Sequence, residues 1–324
     1  MTIVDIHTHF LPKFFVDEAG SKGVFEVREK DGLIVHPQGF RYPAAPEFLD
    51  AGAKIAQMDD KQIDVSILSS SPTLFFYDQP AKEAIEFAQR SNDALADLIK
   101  DQPRLEGFAH LPLQDPLAAG AELERAVKEL GLLGAQIGTN CGPTPVADIW
   151  PVLEVAERLD VPLMLHPYYV GAKPGLEDFY FVNSAGNLID TTVAGARLIH
   201  SGVLDRFPAL RIALVHAGGF LPFQIGRFDH AYSVRPEPKV AISSPPSTYL
   251  DRFWMDTITH GDRALGFVRD VIGPSRLVLG TDLPFDMADE RPVDRLERVG
   301  IDTDAMAEAT RALLGPIGAQ KVGL

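Results

Sequence analysis

Short apolar runs alternate along this chain with longer stretches in which apolar residues recur at helical spacing. Eight of the short runs have the length of strands, and most are flanked by Gly, Pro or Asp: residues 3–6, 65–68, 105–110, 134–137, 162–165, 212–215, 253–255 and 277–279. Strands that alternate with helices are typical of βα units and a parallel sheet. Because eight such units close into a barrel, the pattern predicts an α/β fold of the (β/α)8 TIM-barrel class.

The segments between these runs agree with that prediction. Apolar positions at helical spacing over a charged face predict helices at residues 81–98, 115–130, 147–159 and 265–272. Gly131 and Gly273 follow two of these segments, at the position where glycine commonly ends a helix. We therefore expect a single barrel domain over residues 1–324.

A long segment separates the first two predicted strands. Within it, residues 24–28 and 33–36 flank Asp31-Gly32, which is a typical two-residue hairpin turn. We predict a hairpin insertion at about residues 13–50, on the first βα loop. Such loops lie at the C-terminal mouth of a barrel, where active sites form, so the insertion is expected to be a wall or lid that carries Arg41. A solvated surface hairpin is the alternative.

Composition and charge limit the choice of partner. The chain has 324 residues, of which 46% are hydrophobic, and 30 basic residues stand against 45 acidic ones, a net charge of −15. This balance disfavours nucleic acid or an anionic membrane surface. No apolar run approaches the ~18 residues of a membrane span, and the first residues lack the basic region of a signal peptide. A single cysteine, Cys141, rules out an intrachain disulfide. We expect a cytoplasmic protein.

Four histidines and one aspartate fall at the C-terminal ends of predicted strands. They are His7 and His9 after the first strand, His166 after the fifth, His216 after the sixth and Asp282 after the eighth. His7 and His9 converge because residues two apart in a strand share one face. A lone histidine is usually a packing residue, but polar groups at one end of a barrel meet in space. Imidazole and carboxylate suit zinc. We predict a metal held by His7, His9, His166 and Asp282, with His216 as general acid or base.

These residues carry a resemblance to a known superfamily. The Asp-x-His-x-His of the first strand, His-Pro after the fifth, Val-His-Ala-Gly-Gly after the sixth and Leu-Gly-Thr-Asp-x-Pro-Phe after the eighth resemble the amidohydrolases. Within them the chain is similar from end to end to the aminocarboxymuconate-semialdehyde decarboxylase group, which includes aromatic-acid decarboxylases. The resemblance implies one divalent metal, with zinc expected and manganese the alternative, and no organic cofactor. It implies the same four ligands, gives His216 the acid/base role and makes Asp282 both a ligand and a catalytic residue.

The resemblance also bears on the number of ions and on substrate binding. Amidohydrolases with two metals carry a carboxylated lysine after strand four, where this chain has Gln136, Gly138 and Asn140, so we expect one ion. The family's substrate-carboxylate arginines match Arg41 and Arg227, the second delivered from the neighbouring subunit of a homodimer. A guanidinium fork binds a carboxylate bidentately, which gives both positions a chemical reason. Either arginine taken alone is more often a surface charge.

Two departures from the group lie at the mouth where substrate would rest. After His166-Pro167 the muconate-semialdehyde enzymes carry a tryptophan and an acidic residue, whereas this chain has Tyr168 and Tyr169. After Asp282 they carry tyrosine, whereas this chain has Leu283. The metal chemistry therefore carries over better than the substrate does. Tyr168 either stacks on or hydrogen-bonds a substrate ring, or packs the rim.

We expect a metal-dependent, non-oxidative decarboxylase of an unsaturated or aromatic carboxylic acid, of the aminocarboxymuconate-semialdehyde or hydroxybenzoate type. Direct loss of CO2 would leave a carbanion on an sp2 carbon, so the conjugated system must first take up a proton or activated water. The nearest alternative is a hydrolase or hydratase of a lactone, amide or conjugated acid at the same site. A barrel that binds metal without turnover is the alternative of another class.

Overall fold

The computed structural model describes residues 2–37, 39–141, 144–168 and 175–324. Its strands are β1 (Val4–Phe10), β2 (Arg28–Lys30), β3 (Leu33–Val35), β4 (Arg41–Pro43), β5 (Val65–Ser70), β6 (Leu105–Gly107), β7 (Ala109–His110), β8 (Ala135–Gly138), β9 (Asn140–Cys141), β10 (Thr144–Pro145), β11 (Leu163–His166), β12 (Ile212–Leu214), β13 (Phe253–Asp256) and β14 (Leu277–Val278). Its α-helices are α1 (Lys13–Ser21), α2 (Pro46–Leu49), α3 (Ala51–Asp60), α4 (Ala81–Ile99), α5 (Pro116–Lys128), α6 (Trp150–Leu159), α7 (Asn187–His200), α8 (Val203–Arg206), α9 (Leu221–Val234), α10 (Asp262–Ile272), α11 (Pro292–Val299) and α12 (Thr303–Lys321).

The eight predicted strands follow one another around a closed ring. Parallel pairing joins β1 to β5 and β5 to β6, and then β7, β8, β11, β12, β13 and β14 in that order. Only Phe108 separates β6 from β7, and the two together form the single strand predicted at residues 105–110. Parallel bridges from Asp5 to Leu279 and from Thr8 to Leu283 return the ring to β1. The α/β architecture is the predicted (β/α)8 barrel.

An apolar cluster lies directly beneath the strand-end histidines. It joins alternate strand residues such as Ile6, Met164 and Trp254 to Leu313 of α12. Met164 shares a strand face with His166, and Trp254 shares one with Asp256, because alternate residues of a strand point to the same side. The apolar layer therefore packs directly against the inner side of the polar groups at the barrel mouth. None of the helices in the part of the chain that the structure describes is long and apolar enough to cross a bilayer.

The insertion after β1 is larger than the predicted hairpin. It begins with α1, and β2 and β3 form the expected hairpin around Asp31-Gly32, whose φ angles of 55° and 80° suit this turn. A third antiparallel strand, β4, then pairs with β3, with Arg41 opposite Val35. Phe15, Ile34 and Phe48 lie in a separate apolar cluster under this small sheet. The insertion is thus a packed unit beside the barrel mouth.

Candidate metal centre

The first strand places two histidines at the centre of the barrel mouth. The register of β1 against β5 shifts between Asp5 and Thr8, a local irregularity that redirects side chains. Ile6 accordingly packs in the apolar layer while the next residue, His7, lies among the polar groups above it. His7 and His9 are completely buried, and their ring centroids are 5.1 Å apart.

The C-terminal ends of three later strands, and the turns that follow two of them, bring in the other residues. His166 is the last residue of β11, and its ring centroid lies 5.0 Å from that of His7. His216 begins the turn after β12 and Asp282 follows β14, and both have positive φ angles, of 52° and 62°. Non-glycine residues rarely adopt this conformation, so these turns are held by their surroundings. The backbone N–H of Asp282 donates to the carbonyl of His7 at 2.8 Å, which fixes the last turn on the first strand.

The two oxygens of Asp282 face different histidines. Oδ1 lies 2.9 Å from Nε2 of His9, 3.5 Å from Nε2 of His7 and 4.0 Å from Nε2 of His166. Oδ2 lies 3.7 Å from Nε2 of His216. Three imidazoles therefore lie closest to one carboxylate oxygen and the fourth to the other, although the His216 ring is only 5.2 Å from that of His166.

Hydrogen bonds on the outer side of the rings determine what faces the centre. His7 donates from Nδ1 to Oδ2 of Asp256 at 2.7 Å, and His166 donates from Nδ1 to the carbonyl of Pro167 at 2.9 Å. Because these partners act as acceptors, the protons lie on Nδ1. The Nε2 atoms of His7 and His166 are buried and have no hydrogen-bond partner among the described residues. Unpartnered imidazole nitrogens that converge on a carboxylate oxygen are the environment in which a cation binds, replacing any proton that they carry.

Protonation in this cluster is governed by burial and by Asp282. Burial lowers the pKa of His9 to about 4 and that of His166 to about 3. For His7, burial also lowers the pKa, but the hydrogen bond to Asp256 and the nearby Asp282 carboxylate outweigh it and raise the pKa to about 10. Contacts with the histidines overcome the effect of burial on Asp282 and hold its pKa well below the usual value. The carboxylate thus stays ionised and stabilises a protonated imidazole or a bound cation beside it, so a cation that binds there displaces a proton.

Ligand geometry for a metal exists within this cluster. The ligand atoms of His7, His166, His216 and Asp282 all lie within 4.8 Å of one another. This set includes His216 where the sequence suggested His9. His9 is nevertheless the histidine nearest to Asp282, at 2.9 Å. All five residues chosen from the sequence therefore lie together at the barrel mouth.

Two cavities meet at the cluster. The larger, of about 540 Å³, is lined by His166 and Asp282 at its base and by Arg41 and Tyr42 of the insertion. The second, of about 340 Å³, shares Asp282 with the first and is otherwise lined by His216 and mostly apolar side chains. Both volumes fall within the ~300–1,000 Å³ range of small-molecule sites.

Comparisons with known proteins agree with this architecture and site. The profile of the amidohydrolase family matches residues 4–315. The chain belongs to the amidohydrolase family. It is 30% identical over 308 residues to the 2-amino-3-carboxymuconate-6-semialdehyde decarboxylase of Dictyostelium discoideum, a match that covers 91% of this chain and 85% of that relative. It is 32% identical over 289 residues to the gamma-resorcylate decarboxylase of Polaromonas sp. strain JS666, covering 83% of this chain and 86% of that relative.

A solved structure supports the same assignment. It is a dihydroxybenzoic acid decarboxylase from Polaromonas sp. JS666 with bound manganese and the inhibitor 2-nitroresorcinol. Its TM-score against this amidohydrolase is 0.78 at 28% sequence identity, and the match covers 97% of each chain.

The predicted substrate residues of this amidohydrolase fall in three different places. Arg41 is in the wall of the larger cavity. Tyr168 is buried, packs edge to face against Phe75 and Tyr77, and lines a separate space of about 50 Å³, so its observed contacts are those of a packing residue. Arg227 lies on the exposed side of α9 and is not among the described residues that line the larger cavity. Tyr169 lies outside the described residues.

Sequence reasoning missed Asp256. This buried carboxylate is the last residue of β13 and accepts hydrogen bonds from His7 Nδ1 and from the backbone N–H of Ala217 at 2.8 Å. Its position directly after the run 253–255, at the same barrel end as the histidines, was the one signal that could have identified it. No spacing or repeated motif marks it.

Proposed function

We propose that this amidohydrolase is a metal-dependent, non-oxidative decarboxylase of an aromatic or unsaturated carboxylic acid. The observation that carries the proposal is the cluster of imidazoles around Asp282 at the base of a cavity whose wall contains Arg41. Such a site offers a cation and a guanidinium to one carboxylate-bearing substrate. The two relatives and the solved neighbour, all decarboxylases of conjugated or aromatic acids, support the same reaction.

For the metal we propose Nε2 of His7, His9 and His166 with Oδ1 of Asp282 as ligands, because those three nitrogens face the same oxygen. The orphaned Nε2 atoms of His7 and His166 support this choice. When bound, a divalent ion supplies Lewis-acid stabilisation of negative charge on substrate oxygens. Nitrogen-rich ligands favour zinc, while the manganese in the Polaromonas structure makes that ion the alternative.

The chain's own residues then perform binding and proton transfer. Arg41, in the cavity wall, binds a substrate carboxylate, and the side chains of Tyr42 and Phe285 in the same wall orient the substrate ring. His216, which faces the other oxygen of Asp282, donates a proton to the carbon that bears the departing carboxylate. The bond to that carboxylate then breaks, its electron pair returns to the conjugated system, and CO2 leaves. The imidazole regains its proton from solvent, so the net change is replacement of CO2 by a hydrogen.

We further propose that the protein is a cytoplasmic homodimer in which Arg227 reaches the neighbouring site. Helix α9 buries only Leu221 and Pro222, whereas Phe223 is 40% and Val234 59% exposed. An apolar outer face of this kind is typical of an interaction surface. Arg227 lies on the same helix, which supports its delivery to a partner.

The test is an assay of protein stripped with a chelator and reloaded with Zn2+ or Mn2+. Dihydroxybenzoates, carboxymuconate semialdehydes and small lactones are offered, and CO2 release is recorded beside the ultraviolet spectrum. We expect metal-dependent CO2 release from at least one of the carboxylic acids. Substrate loss without CO2 would instead indicate a hydrolase or hydratase, and metal binding without any turnover would indicate a non-catalytic barrel.

A further inference from the structure

A buried chain of hydrogen bonds leads from His9 away from the metal cluster. Oγ of Ser69 lies 3.3 Å from Nδ1 of His9 and 2.7 Å from Oε1 of Gln136. Nε2 of Gln136 donates to the carbonyl of Ser70 at 2.7 Å. Ser69 and Gln136 are completely buried, on strands β5 and β8, and their hydrogen bond passes across the strand of β6 and β7 that lies between them in the ring.

The chemistry of the partners determines each direction. The Ser70 carbonyl can only accept, so the amide nitrogen of Gln136 faces it and the amide oxygen faces Ser69. The single hydroxyl proton of Ser69 has two such acceptors, Oε1 of Gln136 at 2.7 Å and the Thr8 carbonyl at 3.2 Å, neither of which can donate. Oγ of Ser69 is therefore left to accept a hydrogen bond from Nδ1 of His9.

We propose that Ser69 and Gln136 are positioning residues that hold His9 in the tautomer with its proton on Nδ1, leaving the lone pair of Nε2 for the metal. The inference rests on the proposed function insofar as His9 is a ligand there. His7 and His166 are oriented in the same way by Asp256 and by the Pro167 carbonyl. Outer partners of this kind are general at metal-binding histidines.

The competing tautomer shows why the chain matters. Nε2 of His9 is only 2.9 Å from Oδ1 of Asp282. A proton on Nε2 would form a hydrogen bond to that carboxylate oxygen. Neither Nε2 of His9 nor Oδ1 of Asp282 would then have that lone pair available for the metal. Ser69 opposes this state because its hydroxyl proton is already directed elsewhere.

The neighbouring residue provides a matched control. Oγ of Ser70 lies 2.9 Å from Nδ1 of His110, so the same strand carries a second buried serine–histidine pair. His110 is not part of the metal cluster. Ser70→Ala therefore removes an equivalent bond while it leaves His9 and the Ser70 carbonyl in place.

The experiment compares Ser69→Ala, Gln136→Met and Ser70→Ala with the parent protein. Each protein is stripped of metal and titrated with Zn2+ and with Mn2+ by calorimetry. We expect Ser69→Ala to weaken metal binding by about 10–100-fold, and Gln136→Met to weaken it less, because the Thr8 carbonyl still competes for the Ser69 proton. Ser70→Ala should bind as the parent does. Proton–nitrogen correlation spectra of the metal-free proteins should show a larger share of His9 protonated on Nδ1 in the parent than in Ser69→Ala, where the Nε2 tautomer bound to Asp282 should gain.

The possible results separate the two proposals. If the parent binds metal and Ser69→Ala and Gln136→Met bind it equally well, the positioning role is wrong and the proposed function stands. An equal loss of metal affinity in Ser70→Ala, or the same share of the two His9 tautomers in the parent and in Ser69→Ala, would also overturn it. A parent that binds neither ion contradicts the proposed function itself. Should Ser69→Ala fail to fold, the His9 tautomer in Gln136→Met decides, with a shift toward Nε2 expected.

Discussion

Asp256 holds His7 through a 2.7 Å hydrogen bond from Nδ1 of the imidazole to Oδ2 of the buried carboxylate. Its other oxygen accepts from the backbone N–H of Ala217, the residue that follows His216. One carboxylate at the end of β13 therefore positions a proposed metal ligand and also the turn that carries the proposed acid. Burial alone would raise the pKa of Asp256, but the hydrogen bond from His7 and the other nearby groups outweigh burial and lower the pKa below its usual value. The carboxylate therefore stays ionised and accepts hydrogen bonds from both His7 and Ala217.

Replacing this carboxylate by an amide should weaken metal binding. In Asp256→Asn the remaining oxygen can still accept from Ala217, which turns the amide nitrogen toward Nδ1 of His7 and removes its acceptor. We expect metal affinity to fall by about 10–100-fold with little change in thermal unfolding. The control is Asp251→Asn, an exposed aspartate next to the same strand. Equal affinity in parent and Asp256→Asn would show that His7 needs no such partner.

His216→Ala should separate proton transfer from metal binding. Its imidazole faces Oδ2 of Asp282 at 3.7 Å, whereas the three proposed ligands face Oδ1. We expect kcat for CO2 release to fall by about 10²–10⁴-fold, the usual contribution of a general acid. Metal content, measured by elemental analysis after reloading, should stay at the parent level. Parallel loss of metal would mean that His216 is mainly a ligand.

The strand-end residues could be predicted from the sequence because residues at the same end of the parallel strands of a barrel lie close together in space. His7, His166 and Asp282 are far apart in the chain, yet His7 lies within β1, His166 ends β11 and Asp282 follows β14, and these parallel strands point to one rim. Asp256 follows the same rule but stands alone, without a spacing partner to single it out. Gln136 was noticed for the missing lysine, whereas its hydrogen bond to Ser69 depends on side-chain geometry that no pattern encodes.

The insertion shows a second limit of the sequence pattern. The turn at Asp31-Gly32 identified the hairpin because both residues adopt the positive φ angles that this turn requires. The third strand, Arg41–Pro43, is too short for an alternating pattern to be visible. It is a strand because β3 supplies its hydrogen bonds, which is a tertiary effect.

Arg41→Gln should raise KM for the carboxylic acid. Among the described residues that line the larger cavity, Arg41 is the one arginine. A charge-assisted hydrogen bond from a guanidinium to a carboxylate is worth ~1.5–3 kcal/mol. We expect kcat/KM to fall by about 10–100-fold, mainly through KM, with metal content unchanged. Arg28→Gln, an exposed arginine on β2 of the same small sheet, is the matched control. A change confined to kcat would argue against a role in substrate binding.

Subunit complementation tests whether Arg227 acts across a dimer. Arg227→Ala and His216→Ala should each lose activity, for different reasons. In a mixed dimer, one site would combine the intact His216 of one chain with the intact Arg227 of the other. We expect unfolding and refolding the two variants together to restore about a quarter of parental activity, because half of the dimers would be mixed and each would hold one complete site. No recovery from a mixture shown to contain mixed dimers would place Arg227 outside the partner's site.

His36 should make the insertion sensitive to acid. The side chain is 4% exposed, stacks on Phe40 at 4.2 Å and has no partner for Nε2 among the described residues. Burial lowers the pKa of His36 to about 3, whereas an unfolded histidine titrates near ~6.5. Between these values the unfolded chain binds more protons, so the stabilisation is complete above pH ~6.5 and is lost as the pH falls toward 3.

His36→Phe keeps an aromatic ring on Phe40 but cannot take up a proton. We expect metal-free His36→Phe to lose less stability than the parent between pH 7 and pH ~4.5, by on the order of 2 kcal/mol in urea unfolding. His9 and His166 titrate equally in both proteins, so their contribution cancels in the comparison. Parallel loss of stability in the two proteins would show that His36 is already protonated, or solvated, in the folded state.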